Sequence, residues 1–292
     1  MKHRVLAGVL LGAALVLPTT AASAEAVPKP LTGTAVYGGY VNGYQISQHD
    51  PAKGWKTLGA SKSAAQFAAS PDGRKVAWVT IGGKLQVREN GRLRTVATGL
   101  QGGTPCLTPV WSADSTRLAY AKDETVTIVK ADGGGATRAG ATKGVCHLAW
   151  SADGRYIAGY TGEANGVYRL DVKTGKAVKA KGIKLATHVQ SLSPDGRNAV
   201  VEFPANPDTL GDGSWPTAFK PVVVDLVTGR KLPVAVKGTL IGALYLPDGR
   251  LVVRVQGPAH HTLVVLDRAG KEVQRVEEDA KAKTLGLLQV VG

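Results

Sequence analysis

One short phrase recurs five times along this chain and limits its fold more than any other feature. It reads Ala68-Ala69-Ser70-Pro71-Asp72-Gly73-Arg74, then Val110-Trp111-Ser112-Ala113-Asp114, then Ala149-Trp150-Ser151-Ala152-Asp153-Gly154-Arg155. The last two copies are Ser191-Leu192-Ser193-Pro194-Asp195-Gly196-Arg197 and Tyr245-Leu246-Pro247-Asp248-Gly249-Arg250. The aspartates are separated by 42, 39, 42 and 53 residues. That is the period of a four-stranded propeller blade and is too long for leucine-rich or hexapeptide solenoids. Each unit has the matching order of elements: an apolar strand a, a Ser-x-Asp-Gly turn, two further apolar strands b and c, a glycine turn and a short strand d. In the third unit these fall at Val145 to Trp150, Tyr156 to Tyr160, Val167 to Leu170 and Ala177 to Lys179. The turn aspartates Asp72, Asp114, Asp153, Asp195 and Asp248 are therefore structural. A group repeated in every unit shapes the turn rather than forming a catalytic cluster.

The chain ends complete the count. Thr34 to Val41, Tyr44 to Gln48 and Trp55 to Leu58 read as strands b, c and d with no strand a before them, and Leu285 to Val291 reads as a strand a with nothing after it. Pairing them makes a sixth blade and leaves no open seam. The expectation is an all-β, six-bladed propeller of four-stranded antiparallel blades, closed by the N- and C-terminal strands and occupying residues 33–292. The 53-residue interval then holds a loop insertion, Pro204 to Lys220, rather than a seventh blade.

The Ser-Pro-Asp-Gly-Arg turns, the tryptophan in Trp111-Ser112 and Trp150-Ser151, and second strands such as Val76-Ala77-Trp78 and Leu118-Ala119-Tyr120 resemble the repeats of TolB-like six-bladed propellers. The resemblance covers nearly the whole span after residue 24 and implies a stand-alone binding propeller of the cell envelope. It departs from TolB itself, since no α/β domain precedes the repeats. No Gly-x-Ser-x-Gly elbow suggests a propeller peptidase.

Before the repeats, Lys2, His3 and Arg4 precede an apolar run, Val5 to Val16, with a small-residue exit at Ala22-Ser23-Ala24. This pattern predicts a secretory signal over 1–24 followed by a short linker, 25–32. The run is shorter than the ~20 residues of a membrane span. The expected location is therefore outside the cytoplasm: extracellular, attached to the cell wall or periplasmic. Without the signal the chain holds 34 basic and 22 acidic residues, a formal charge of about +12, which favours an anionic or acidic partner. A protein or an anionic envelope polymer fits that setting better than nucleic acid, and a monomer is expected. The only cysteines, Cys106 and Cys146, stand at nearly the same place at the entrance to strand a of adjacent blades, which predicts a disulfide between them.

Candidate chemistry is sparse. The spans assigned to strand a contain no Asp or Glu, so the paired carboxylates of a glycosidase or an oxygen cage for calcium would have to come from loops. No cofactor is expected. His147 and His188 lie near the starts of neighbouring inner strands and could approach each other over the channel mouth, yet two ligands fall short of a zinc site. The irregular features gather on the face opposite the repeated turns: the Pro204 to Lys220 loop with Asp208, Asp212 and Trp215, and the pair His260 and His261. These five residues are the candidate partner contacts, with Trp215 as an exposed anchor, while the turn face should be basic and featureless. The leading reading is a non-catalytic binding module. The alternative is a secreted hydrolase or lyase acting on a sugar or small ester through Asp208, Asp212 and His260.

Overall fold

Side chains alternate across a strand, so a blade of this composition presents an apolar layer on both sides and has to be covered on both. The computed structural model, which describes Met1 and residues 29–40, 43–62, 66–206 and 210–292, meets this demand with six four-stranded sheets in a ring. Blade VI contains β1 (Ala35–Tyr40), β2 (Tyr44–Asp50) and β3 (Gly54–Ser61). Blade I is β4 (Gln66–Ala69), β5 (Lys75–Val79), β6 (Leu85–Glu89) and β7 (Arg92–Ala97). Blade II is β8 (Val110–Trp111), β9 (Arg117–Lys122), β10 (Thr125–Lys130) and β11 (Thr137–Ala141). Blade III is β12 (Cys146–Trp150), β13 (Tyr156–Tyr160), β14 (Val167–Asp171) and β15 (Lys176–Lys179). Blade IV is β16 (His188–Leu192), β17 (Asn198–Glu202), β18 (Val222–Asp225) and β19 (Lys231–Leu232). Blade V is β20 (Leu240–Tyr245), β21 (Leu251–Val255), β22 (Thr262–Leu266) and β23 (Glu272–Glu277), and β24 (Gly286–Val290) returns to pair with β1. The expected fold and its closure by the two ends are thus present. The expected signal, apart from Met1, and residues 25–28 of the linker lie outside the described residues.

Among the described residues the buried apolar side chains form six clusters, one at each blade junction. Ala77, Val87 and Leu118 lie between blades I and II, for example, and Leu244, Val265 and Leu287 between V and VI. The recurring turns hold the blades in register. In blade III the Ser151 hydroxyl donates to Asp153 Oδ1 at 2.5 Å and accepts from the Tyr156 N–H at 2.8 Å, while Asp153 Oδ1 accepts from the Arg155 N–H at 2.9 Å. The same bonds recur from Ser70, Ser112 and Ser193. The residue after the aspartate takes a left-handed backbone, φ 66° at Gly73, which suits glycine. The second copy has Ser115 there, at φ 58°. Its hydroxyl accepts from the Asp72 N–H at 3.1 Å, so the strained residue ties blade II to blade I.

Two further ties complete the ring. Arg254 interrupts the apolar β21 on the face turned to blade VI and is 1 % exposed. Its Nε donates to Glu278 at 2.8 Å, and its other nitrogens donate to the carbonyls of Thr217, Leu285 and Ala282. Glu278 also accepts from the Tyr37 hydroxyl of β1 at 2.7 Å. The described part of the expected linker is likewise fixed to blade V. Leu31 exchanges two 2.8 Å bonds with the Gln274 side chain, and Arg250 donates to the Lys29 carbonyl at 2.9 Å. The expected disulfide joins Cys106 to Cys146 with Cα atoms 4.7 Å apart.

Removing one partner of the buried pair leaves an uncompensated charge. Arg254→Met is expected to lower unfolding free energy by about 3–5 kcal/mol in a denaturant titration. Arg254→Met combined with Glu278→Gln should recover part of that loss. Reducing the disulfide frees a loop of 40 residues. The resulting loss, read as a lower midpoint with unchanged far-UV dichroism below the transition, should be about 3–4 kcal/mol.

Candidate functional site

The six inner strands surround a cavity of about 100 Å³. Phe67, Trp111, Trp150, Tyr245 and Leu288 form much of its wall, and the turn residues Pro71, Ala113, Ala152 and Pro247 border it. Those turns place the mouth on the face of the Ser-x-Asp repeats. No Asp, Glu, His, Lys or Arg is among the described residues lining it. The cavity is thus an aromatic-walled funnel that also carries Gln190, Ser191 and Gln289, suited to an inserted side chain and without an ionisable group to transfer a proton.

Trp215 forms the floor of this funnel. The loop between β17 and β18 turns inward, and the indole lies 5.1 Å from the His147 ring and 4.6 Å from the His188 ring, measured between centroids. Gly286 on β24 permits this approach, since a Cβ there would lie 2.7 Å from the Pro216 carbonyl. The expectation of an exposed anchor is therefore corrected: Trp215 is half-buried and plugs the channel, because two ring faces and a glycine strand accept it. Asp208 lies outside the described residues. Asp212 is exposed and accepts from the Ser214 N–H at 2.9 Å, capping a turn of the same loop.

Beneath the plug the two expected neighbours meet. His147 and His188 are both fully buried, with their Nδ1 atoms 2.6 Å apart. His147 Nε2 lies 3.0 Å from the Gly213 carbonyl, and His188 Nε2 lies 2.7 Å from Gln190 Oε1. The register between β12 and β13 shifts at this point. His147 has φ 44° and donates its backbone N–H to the Cys106 carbonyl at 2.8 Å, beside the disulfide. Burial pushes the His188 imidazole down to about 4, against the Gln190 bond that favours its charged form. Burial first, and then the neighbouring His188, hold His147 well below its usual value. No group of three or more metal-ligating side chains occurs among the described residues.

The remaining candidates are separate from this centre. His261 is buried, accepts from the Gly257 N–H at 3.2 Å and approaches the Lys283 carbonyl at 3.3 Å, so it shapes its own loop. His260 is half-exposed and faces Glu277 at 3.3 Å. Among the described residues no hydrogen bond, ion pair or ring contact joins either histidine to Asp212 or Trp215. On the turn face, some of the basic groups are paired. Arg155 pairs with Asp171 at 3.0 Å and Arg197 with Asp225 at 2.8 Å. Arg250 is buried against Asp248 and the Lys29 carbonyl. Arg74, Arg92, Lys173, Lys176, Arg230 and Lys271 of the same face are exposed.

Three participants escaped the reading of the sequence. Gln190 and the Gly213 carbonyl carry no motif. Arg254 did leave a signal, a lone charge inside Leu251-Val252-Val253-Arg254-Val255, which requires a buried partner.

No protein-family model matches the chain. Fifty residues are 46 % identical to the Tol-Pal system protein TolB of Francisella tularensis subsp. tularensis, covering 16 % of this chain and 12 % of that protein. The TolB of subsp. mediasiatica gives 44 % over the same length. The match thus spans about an eighth of those relatives. Among solved structures, TolB from Acinetobacter baumannii superposes with a TM-score of 0.56 at 16 % identity, over 89 % of this chain and 66 % of that one. A chain of the nidogen/laminin complex gives 0.53 at 10 % identity, over 89 % and 98 %. At such identities the likeness establishes the six-bladed fold, which these proteins use in different settings.

The turn carboxylates set an acid limit. Burial alone would raise Asp225, but the Thr228 N–H, the Arg197 guanidinium and the Val227 N–H outweigh it and hold the group at about 2. Asp72, Asp114 and Asp195 are also lowered, their burial outweighed by serine hydroxyls and backbone N–H groups. A depressed carboxyl contributes stability that is present above its unfolded value of about 4 and is lost as pH falls through the folded value. Asp225→Asn should therefore melt below the wild type at pH 5, with the two melting temperatures converging by about pH 2.

Proposed function

We propose that this chain is a secreted, non-catalytic propeller that binds a macromolecular partner in the envelope or outside the cell, and that the partner inserts an apolar side chain into the funnel on the turn face. The supporting observation is the funnel itself: about 100 Å³, open on the rigid repeated turns and closed at its base by Trp215. Aromatic walls around a concave pocket that a partner can cover are the usual setting of a binding hot spot. A volume of that order suits one aromatic or branched side chain rather than a sugar. A protein is the favoured partner class for this reason, while an anionic envelope polymer would engage the excess of lysines elsewhere on the surface. The signal-like residues 1–24, the overall charge and the short TolB match support an envelope or extracellular setting. Among the described residues no helix is long and apolar enough to cross a membrane.

This reading moves the expected recognition surface from the irregular rim to the turn face. On the opposite rim Trp215 is withdrawn into the channel, and Asp212 stands apart from His260 and His261. A hydrolase or lyase acting through Asp212 and His260 would need those groups to converge on one substrate.

Ala152→Trp tests the proposal, because Ala152 borders the mouth and its side chain is partly exposed. A partner captured by crosslinking from the native envelope fraction should bind this variant at least about tenfold more weakly, a loss of ~1.4 kcal/mol, with the melting temperature unchanged. Asp212→Ala and His260→Ala should bind like the wild type. Unchanged binding by Ala152→Trp, or turnover of glycosides or lactones abolished by Asp212→Ala or His260→Ala, would overturn it.

A further inference from the structure

The buried histidine pair can be treated as a proton count. Its outer nitrogens face two oxygens that only accept, the Gly213 carbonyl at 3.0 Å and Gln190 Oε1 at 2.7 Å. The Gln190 amide is held in this orientation, since its nitrogen donates to the Leu287 carbonyl at 3.3 Å. Three contacts in series, including the 2.6 Å approach of the two Nδ1 atoms, call for three protons. Two neutral imidazoles carry two protons, and two imidazolium ions carry four. The fourth does not fit here, because two N–H groups would then point at each other across 2.6 Å. The assembled pair holds at most three protons, whereas the same rings in water accept four. Any state that hydrates them binds more protons, so acid favours that state.

The loop that carries Trp215 separates the pair from water. It supplies the Gly213 carbonyl, the indole in contact with both rings and the Phe219 ring, 4.7 Å from His188. Among the described residues its backbone is tied to the rest of the ring by the Phe219 N–H to the Ile241 carbonyl at 3.1 Å and by Arg254 to the Thr217 carbonyl at 3.2 Å. We propose that His147 and His188 form an acid-operated latch, in which protonation of both rings releases the Gly213–Trp215 segment from the channel and turns the blind funnel into an open bore.

The groups facing the pair do not supply a counter-charge. Tyr160 of β13 stands edge-on to His147 at 5.2 Å, and burial raises its hydroxyl. Glu202 lies opposite His188 in the β16–β17 register but accepts from the Thr187 hydroxyl at 3.2 Å, while burial raises its carboxyl. Asp212 flanks Gly213 and is engaged with the Ser214 N–H. Arg254 of β21 approaches only at Thr217. With the imidazoles held down by burial, His188 to about 4, the assembled pair binds fewer protons than hydrated rings, near 6.5, over the range in which those rings become charged. The latch opens as pH falls through that range. It operates whether or not the funnel receives a partner.

Hydrogen exchange and nitrogen-15 spectra of the imidazoles, recorded from pH 7.5 to 4 on the unmodified protein, test the latch. Protection of residues 210–219, corrected for intrinsic exchange, should fall at least about tenfold as both rings take up protons, since each extra proton bound changes the opening constant tenfold per pH unit. Strands β20 and β21 should keep their protection. His147→Asn suits the left-handed backbone and removes the facing N–H groups, and its loop protection should fall much less steeply with pH over this range, since one ring fewer takes up a proton on opening. Three results would overturn the proposal: protonation of both rings with the loop still protected, loop opening only together with the strands, or the same acid response in His147→Asn.

Discussion

The architecture follows from the two-sidedness of each blade. A single sheet of this composition leaves an apolar layer uncovered on each side, and an open row of blades would still expose both ends. Closure into a ring is the arrangement that covers every layer, and it depends on β24 finding β1 across the full length of the chain. The buried pair of Arg254 and Glu278 lies at that seam, where it ties β21, the segment after β23, β1 through Tyr37 and the approach to β24. An ion pair in such a place adds less to net stability than it adds to specificity, since its donors are satisfied only when blades V and VI meet in this register.

The repeat made the ring legible before any coordinates. Spacing of the turn aspartates, glycines after them and two incomplete ends gave six blades, their strands and the closing pair. The disulfide was legible for the same reason, because two cysteines at equivalent places in adjacent units are neighbours in a ring. Position 115, where the copy lacks its glycine, shows how a departure from the repeat carries information: the serine accepts a left-handed backbone and bonds the neighbouring blade.

The site was legible only in part. His147 and His188 were placed near each other by the repeat, and they meet. The direction of the Pro204 to Lys220 loop was not, since an insertion outside the repeat has no internal register. Only the absence of a Cβ at Gly286 and the ring faces of the two histidines show why Trp215 turns inward. The turn face was expected to be basic and featureless; some of its arginines pair with aspartates of the same blade, and it carries the mouth of the funnel.

These corrections point the same way. A propeller usually leaves its channel open at both ends, with the rim of longer loops as its variable surface. In this chain the longest loop is spent on closing one end, and the residues it meets there are two imidazoles without a carboxylate partner. A buried histidine pair is a poor way to hold a loop if permanence is the aim, because an apolar pair of similar volume would carry no desolvation penalty. It is well suited to a contact that must hold in one protonation state and yield in another. The depth of the funnel and the protonation of the ring centre are therefore one structural variable, set by whether Trp215 is in place.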